Sequence, residues 1–220
     1  VRWHSPEHGP ISPATFVPVA EESNLIHALG DWIMGQALAA VRQWPGQFVS
    51  VNVSGRQFRR DGFVERLAAA VRAADVEPSR VQLEVTETVI FEDPERAAEL
   101  LAQLRAAGFR VALDEFGAGY SSLYNIRSFA LDALKIDRSF VSRMGAERES
   151  AAIVHSIIHL GRALGLDVVA EGVETFHQVQ ALRLAGASHL QGYYFARPMD
   201  EAHARAMAHT GTTPLNRLAG

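Results

Sequence analysis

From residue 49 the chain alternates strictly, with Val49, Val51 and Val53 on one side and Ser50, Asn52 and Ser54 on the other. Such a period of two predicts a strand. The same alternation returns in VQLEVTET, where Val81, Leu83 and Val85 oppose Gln82, Glu84 and Thr86. Further strands are predicted in RVALDEFG, ALKIDRSF, DVVAEGVE and HLQGYYFA. Between them lie stretches with helical spacing. Residues Pro13 to Trp44 read as one helix, carrying Leu25, Ile26, Leu29, Ile33, Ala37 and Leu38 on an apolar face until Pro45-Gly46 ends it. Asp93-Pro94-Glu95 starts another, because an aspartate cap precedes a proline whose missing N–H is harmless in the first turn, and Gly108 stops it.

Strands that alternate with helices form parallel sheets whose outer face the helices cover. The valine and leucine faces suit those helices. The opposite face carries Asn52, Glu84, Asp114, Lys135 with Asp137, Glu171 and Gln191, so at least six strands bring polar groups to a common interior. Closure into a barrel explains this better than an open doubly wound sheet, which gathers its site at one switch point. The expected fold is therefore α/β, a TIM-like (βα)8 barrel. One domain over residues 1–209 is predicted, followed by a loose polar tail over 210–220.

The chain has 220 residues, 48% of them hydrophobic, enough for one such core. A net charge of −4 with scattered basic residues argues against a polynucleotide partner. The absence of cysteine excludes disulfides and thiolate metal sites and fits a reducing cytoplasm. No apolar run is long enough to insert into a membrane.

Asn52, Glu84, Asp114 and Glu115 offer oxygen donors from three strand ends, the ligand type of hard divalent cations such as Mg²⁺ and Mn²⁺. Any one of these carboxylates could instead cap a helix or pair with an arginine. Together, without a cation, they would repel one another. Lys135 needs a partner in a barrel interior, and both a structural ion pair and a catalytic role are open. Glu87, three residues beyond Glu84, falls near the strand end as a loop organiser. His155 and His159 lack the glutamate of a zinc helix motif and read as ordinary histidines. Gly117-Ala118-Gly119 lacks the remainder of a phosphate-binding glycine motif, Arg59-Arg60 reads as a solvated edge, and Trp32 and Trp44 are expected in the core.

VNVSGRQF, LEVTET, LKIDRSF, VAEGVET and QGYYFARP, in this order, resemble the EAL domains of cyclic di-GMP phosphodiesterases. The resemblance implies an EAL-type barrel with its first strand truncated, hydrolysis of cyclic di-GMP to linear pGpG, and two bound ions, Mg²⁺ or Mn²⁺. It implies that Asn52, Glu84, Asp114, Glu115 and Glu171 hold metal, and that Lys135 positions the attacking water with Glu171. It further implies Arg2, Asp137 and Gln191 as substrate-binding residues, with Glu87 and Glu174 anchoring the loop after Asp114. A homodimer, an upstream regulatory domain and a cytoplasmic site of action belong to the same expectation, whether or not the parent polypeptide is membrane-anchored.

Two departures qualify the resemblance. The Glu-Ala-Leu that names the family would lie just before Val1, which removes one expected metal ligand. The family's Asp-Asp-Phe-Gly is here Asp114-Glu115-Phe116-Gly117, so a longer carboxylate stands at a second-metal position. A shift from Mg²⁺ towards Mn²⁺ is expected from it. Two other functions compete: a non-catalytic cyclic di-GMP receptor, and a glycosidase using Glu84 and Glu171 as its carboxylate pair.

Overall fold

A computed structural model describes residues 1–44, 46–117 and 126–210, the last three without their side chains. Strands β1 (Trp3–Ser5) and β2 (Gly9–Ile11) form an antiparallel hairpin ahead of helices α1 (Pro13–Glu22) and α2 (Ile26–Arg42). Then come β3 (Val49–Asn52), the short α3 (Gly55–Phe58), α4 (Phe63–Ala73), β4 (Val81–Thr86), α5 (Glu87–Glu92), α6 (Pro94–Ala106) and β5 (Arg110–Phe116). The chain continues through β6 (Ala133–Ile136), α7 (Arg138–Arg143), α8 (Arg148–Leu164), β7 (Asp167–Ala170), α9 (Phe176–Ala185), β8 (His189–Leu190) and α10 (Glu201–Thr210).

Strands β3 to β8 pair in chain order, all parallel. Residues of β3 and of β8 line one cavity with residues of the four strands between them, so the sheet curls as a (βα)8 barrel-like wall of six strands. Its outer face is the core: Leu83, Val85, Leu113, Leu134, Ile136 and Val168 are wholly buried against the helices. Each such side chain contributes about 1.5–3 kcal/mol relative to an exposed position. The inner face holds the polar residues of the alternation.

Two predicted elements and one predicted core residue differ in the structure. The helix expected from Pro13 to Trp44 breaks at Ser23-Asn24, where Ser23 Oγ donates to the Val19 carbonyl and Asn24 takes φ +60°. A serine that bonds back to the preceding turn and an asparagine that tolerates the left-handed region together end a helix that apolar spacing alone would continue. The strand read in HLQGYYFA is only His189–Leu190, because Gln191 to Phe195 turn over the barrel end. Trp32, expected in the core, is 57% exposed, as the apolar stripe of α2 that faces β3 is Met34, Leu38 and Val41 instead. Trp44 is half-buried.

Other local expectations match. Asp93 caps α6 by accepting from Arg96 N, and Gly108 at φ +88° follows its end. His155 and His159 are exposed on α8. Arg59 and Arg60 pair with Glu92 and Asp31 at the surface. The 118–119 dipeptide and the tail over 211–220 lie outside the described residues.

Arg80, just before β4, donates to the carbonyls of Val41, Trp44 and Gln47 and so ties the open carbonyl end of α2 to the sheet. Hydrogen bonds from a charged donor contribute about 1.5–3 kcal/mol, so Arg80→Ala should lower the unfolding free energy by that amount. Urea denaturation with an unchanged slope is the check, and an unchanged midpoint would contradict it.

Candidate active site

The carboxyl ends of parallel barrel strands converge on one mouth. Here β4 brings Glu84, β5 brings Asp114, β6 brings Lys135, and the first residue after β7 is Glu171. Lys135 Nζ lies 2.8 Å from Glu84 Oε2, 3.3 Å from Asp114 Oδ1 and 2.7 Å from Glu171 Oε1. Lys135, Glu84 and Asp114 are all buried, and Glu171 is partly so. The interior lysine thus has three partners where the sequence required one.

Burial alone would lower the Lys135 pKa, but Glu84, Asp114 and Glu171 outweigh it and raise it above the ordinary lysine value. The ammonium stays charged. For Glu171, burial is the larger effect and raises its carboxyl pKa although Lys135 pulls the other way. The carboxyl of Glu115, which keeps much of its surface in solvent, is raised first by partial loss of hydration and next by Asp114 and Asp137. Three carboxylates around one ammonium leave an excess of negative charge, and Asp114 and Glu84 add to the rise at Glu171.

Glu115 occupies an unusual backbone position. In the β5–β6 ladder Leu113 faces Leu134 but Phe116 faces Ile136, so three steps on β5 match two on β6. Glu115 is the extra residue of this bulge, at φ +56°, and it is exposed. Without the bulge Phe116 would share Asp114's inward face; with it, Phe116 turns to the core at 3% exposure. Asp114 remains inward, and its Oδ1 accepts from the Glu115 amide at 2.9 Å.

Asn52 sits opposite Glu84 in the β3–β4 register, with its side chain exposed at the mouth. A cavity of about 630 Å³ contains Asn52, Glu84, Thr86, Glu115 and Arg2 among its walls. A second, of about 370 Å³, holds Glu84, Lys135 and Gln191, so Glu84 belongs to both. Arg2 is exposed and donates to its neighbour's carbonyl, Val1 O. Thr86 was not singled out by pattern, since a threonine at a strand end has no distinctive spacing.

Glu87 is buried, and its Oε2 accepts from the Gly117 amide at 2.9 Å, at the start of the segment that follows Asp114. Asp137 does not continue the strand face of Lys135: β6 ends at Ile136, and Asp137 caps α7 by accepting from Ser139 N. Glu174 is exposed, with its backbone N–H bonded to Gln178 Oε1, and the residues 118–125 that it would anchor lie outside the described residues.

Among the described residues, no three His, Asp or Glu side chains form a ready-made cation cage. Lys135 Nζ holds the point on which Glu84, Asp114 and Glu171 converge. The donor chemistry nevertheless fits hard divalent cations, because every available ligand is an oxygen and negative charge is in excess. The same geometry speaks against a glycosidase, whose two carboxylates must face a sugar across open space, whereas Glu84 and Glu171 both grip one ammonium.

The family model of the EAL domain matches residues 1–198. An uncharacterized signaling protein of Caulobacter vibrioides is 42% identical over 199 residues, covering 90% of this chain and 25% of that protein. The bifunctional diguanylate cyclase/cyclic di-GMP phosphodiesterase MucR of Pseudomonas aeruginosa is 39% identical over 204 residues, covering 90% of this chain and 30% of that protein. The solved MucR phosphodiesterase in complex with c-di-GMP superposes with a TM-score of 0.89 at 39% identity, over 92% of this chain and 84% of the other. The chain therefore spans between 25% and 30% of the length of these two curated relatives. Motif order, the parallel barrel wall and the match over residues 1–198 agree, and the chain belongs to the EAL domain family.

Proposed function

We propose that this domain is a metal-dependent phosphodiesterase that opens cyclic di-GMP to linear pGpG. The observation that carries the reading is the buried Lys135 ammonium held among Glu84, Asp114 and Glu171 at the mouth of the barrel. Asn52, Glu84, Asp114, Glu115 and Glu171 would hold two ions, Mg²⁺ or Mn²⁺. Bound there, the ions would polarise the phosphodiester and acidify the attacking water. Lys135 places a fixed positive charge where negative charge develops on the phosphate. Glu171 would hold the second ion or its water beside Lys135, whose Nζ lies 2.7 Å from its Oε1.

Arg2 meets a substrate phosphate by charge, and Asp137 and Gln191 contact the substrate or its water. Glu87 and Glu174 keep the segment after Asp114 in place. The working unit is the domain over residues 1–209, acting in the cytoplasm as a homodimer under an upstream regulatory domain. No helix among the described residues is long and apolar enough to cross a membrane.

The left-handed, bulged backbone at Glu115 favours one second reading, a cyclic di-GMP receptor that binds without turnover. Chromatography of cyclic di-GMP incubated with the protein, with and without Glu-Ala-Leu placed before Val1, decides between the two. Linear product with Mn²⁺ or Mg²⁺ and none with chelator is expected; binding without product under every condition would leave the receptor. Light scattering on the same preparation should give the mass of two chains, and a monomer would remove the dimer. Glu115→Asp shortens the ligand and suits the left-handed region better than glutamate. It should raise the Mg²⁺-supported rate about tenfold, roughly the factor that 1.4 kcal/mol represents, and an unchanged ratio of Mg²⁺ to Mn²⁺ rates would refute that role.

A further inference from the structure

Glu171 is the one member of the charged cluster that no strand carries; it is the first residue after β7. Its backbone N–H donates to the Ile136 carbonyl at 3.3 Å, and beyond it the chain turns at Gly172, with φ +70°. That bond extends the β6–β7 pairing by one residue, so beyond Glu171 the chain needs a further hold to keep its carboxylate against Lys135.

The segment after β8 supplies that hold. Gln191 N donates to Ala170 O at 2.9 Å, Val173 N donates to Gln191 O at 3.0 Å, and Tyr194 N donates to Val173 O at 3.0 Å. These three bonds span both sides of Glu171, and Val173 is fully buried. The contact is backbone against backbone at Gly192: a Cβ added there would overlap the N and O of Val173 and stand 2.7 Å from its carbonyl carbon. On the other side, a Cβ at Gly172 would stand 2.6 Å from Arg138 Cβ, at the start of α7. Backbone cannot yield as the end of a flexible side chain can.

We infer that Gly192 is a positioning residue, the point at which the β8 segment clasps the turn after β7 and sets the Glu171 carboxylate on Lys135. The two candidate water-handling residues, Glu171 and Gln191, then ride on one rigid unit. This inference rests on the phosphodiesterase reading for its catalytic consequence. Sequence pattern marks Gly192 only as part of the QGYYF segment, because close approach between two loops leaves no periodic trace.

Displacement of a reacting group by about 1 Å can reduce rate on the order of 100-fold. Gly192→Ala should lower kcat by about 10- to 100-fold with KM changed less than about twofold. The comparison is Gly165→Ala, at φ +72° with nothing within 4 Å of an added Cβ and placed before the start of β7, at the opposite end of that strand from Glu171, which strains the backbone but leaves kcat unchanged. Amide hydrogen exchange on the unaltered chain reads the clasp without any variant: Val173 and Tyr194 should exchange slowly. Turnover by the unaltered chain with equal kcat in Gly192→Ala, or rapid exchange at both amides, overturns the inference alone. An unaltered chain with no turnover overturns the phosphodiesterase reading and the positioning role with it.

Discussion

Lys135→Met is expected to lose hydrolysis by at least about 100-fold and to lower the unfolding free energy by about 3–5 kcal/mol, the range for breaking a buried ion pair from one side. Methionine matches the length of the lysine stem and removes the ammonium with its charge and its N–H donors. Lys135 is 3% exposed, and its loss leaves Glu84, Asp114 and Glu171 facing one another without a counter-charge. The pH dependence has a definite sign. The lysine pKa is raised in the folded state, so its stabilisation is complete below the ordinary lysine value and falls away only as pH rises through the higher folded one. At neutral pH the full contribution is at stake. In the variant, Glu171 has lost the ammonium that opposed its raised pKa, so acidification should shrink the deficit as the carboxyl takes up its proton. Added Mn²⁺ should raise the melting temperature of the variant more than that of the unaltered chain, since a cation can replace the missing charge. Thermal unfolding across pH and Mn²⁺ concentration measures all three, and equal stability of the two proteins would show that the cluster does not hold Lys135 as described.

Glu84→Gln should separate activity from stability. Glutamine keeps the volume of the side chain at the centre of the barrel wall, where residue 84 pairs with Asn52 on one side and Ala112 on the other. Lys135 retains Asp114 and Glu171, so no buried charge is left alone. Stability should fall by no more than about 1.5–3 kcal/mol, the size of one hydrogen bond between charged groups, because the glutamine oxygen can still accept from Lys135. Turnover should fall at least about 100-fold, because a neutral amide replaces the carboxylate common to both cavities. Full activity in this variant would remove Glu84 from the site, whereas loss of activity with loss of folding would assign it to the core.

Much of this arrangement was legible in residue order. Alternation of valine or leucine with polar groups determined which face of each strand meets the helices, because side chains on a strand alternate sides without exception until the backbone departs from it. That rule placed Glu84, Asp114 and Lys135 inside the barrel, and the structure brings the three together. It failed where the backbone departs: at Phe116, which the bulge at Glu115 turns to the core, and at Asp137, where the strand has already ended; Gln191 lies past the end of β8 yet still lines the cavity that holds Lys135. Trp32 failed for a different reason, since helical spacing gives an apolar stripe but not which of its edges meets the sheet.

The sequence by itself determined the strand faces, the helix starts and stops at Asp93 and Gly108, and the family, because each depends on local spacing or on the identity of short segments. Only the tertiary structure decided that Lys135 has three carboxylate partners, that Glu87 meets the Gly117 amide, and that Gly192 lies against Val173. Those contacts join segments from different parts of the chain, and distance between them is set by the curl of the sheet, which no stretch of sequence carries alone.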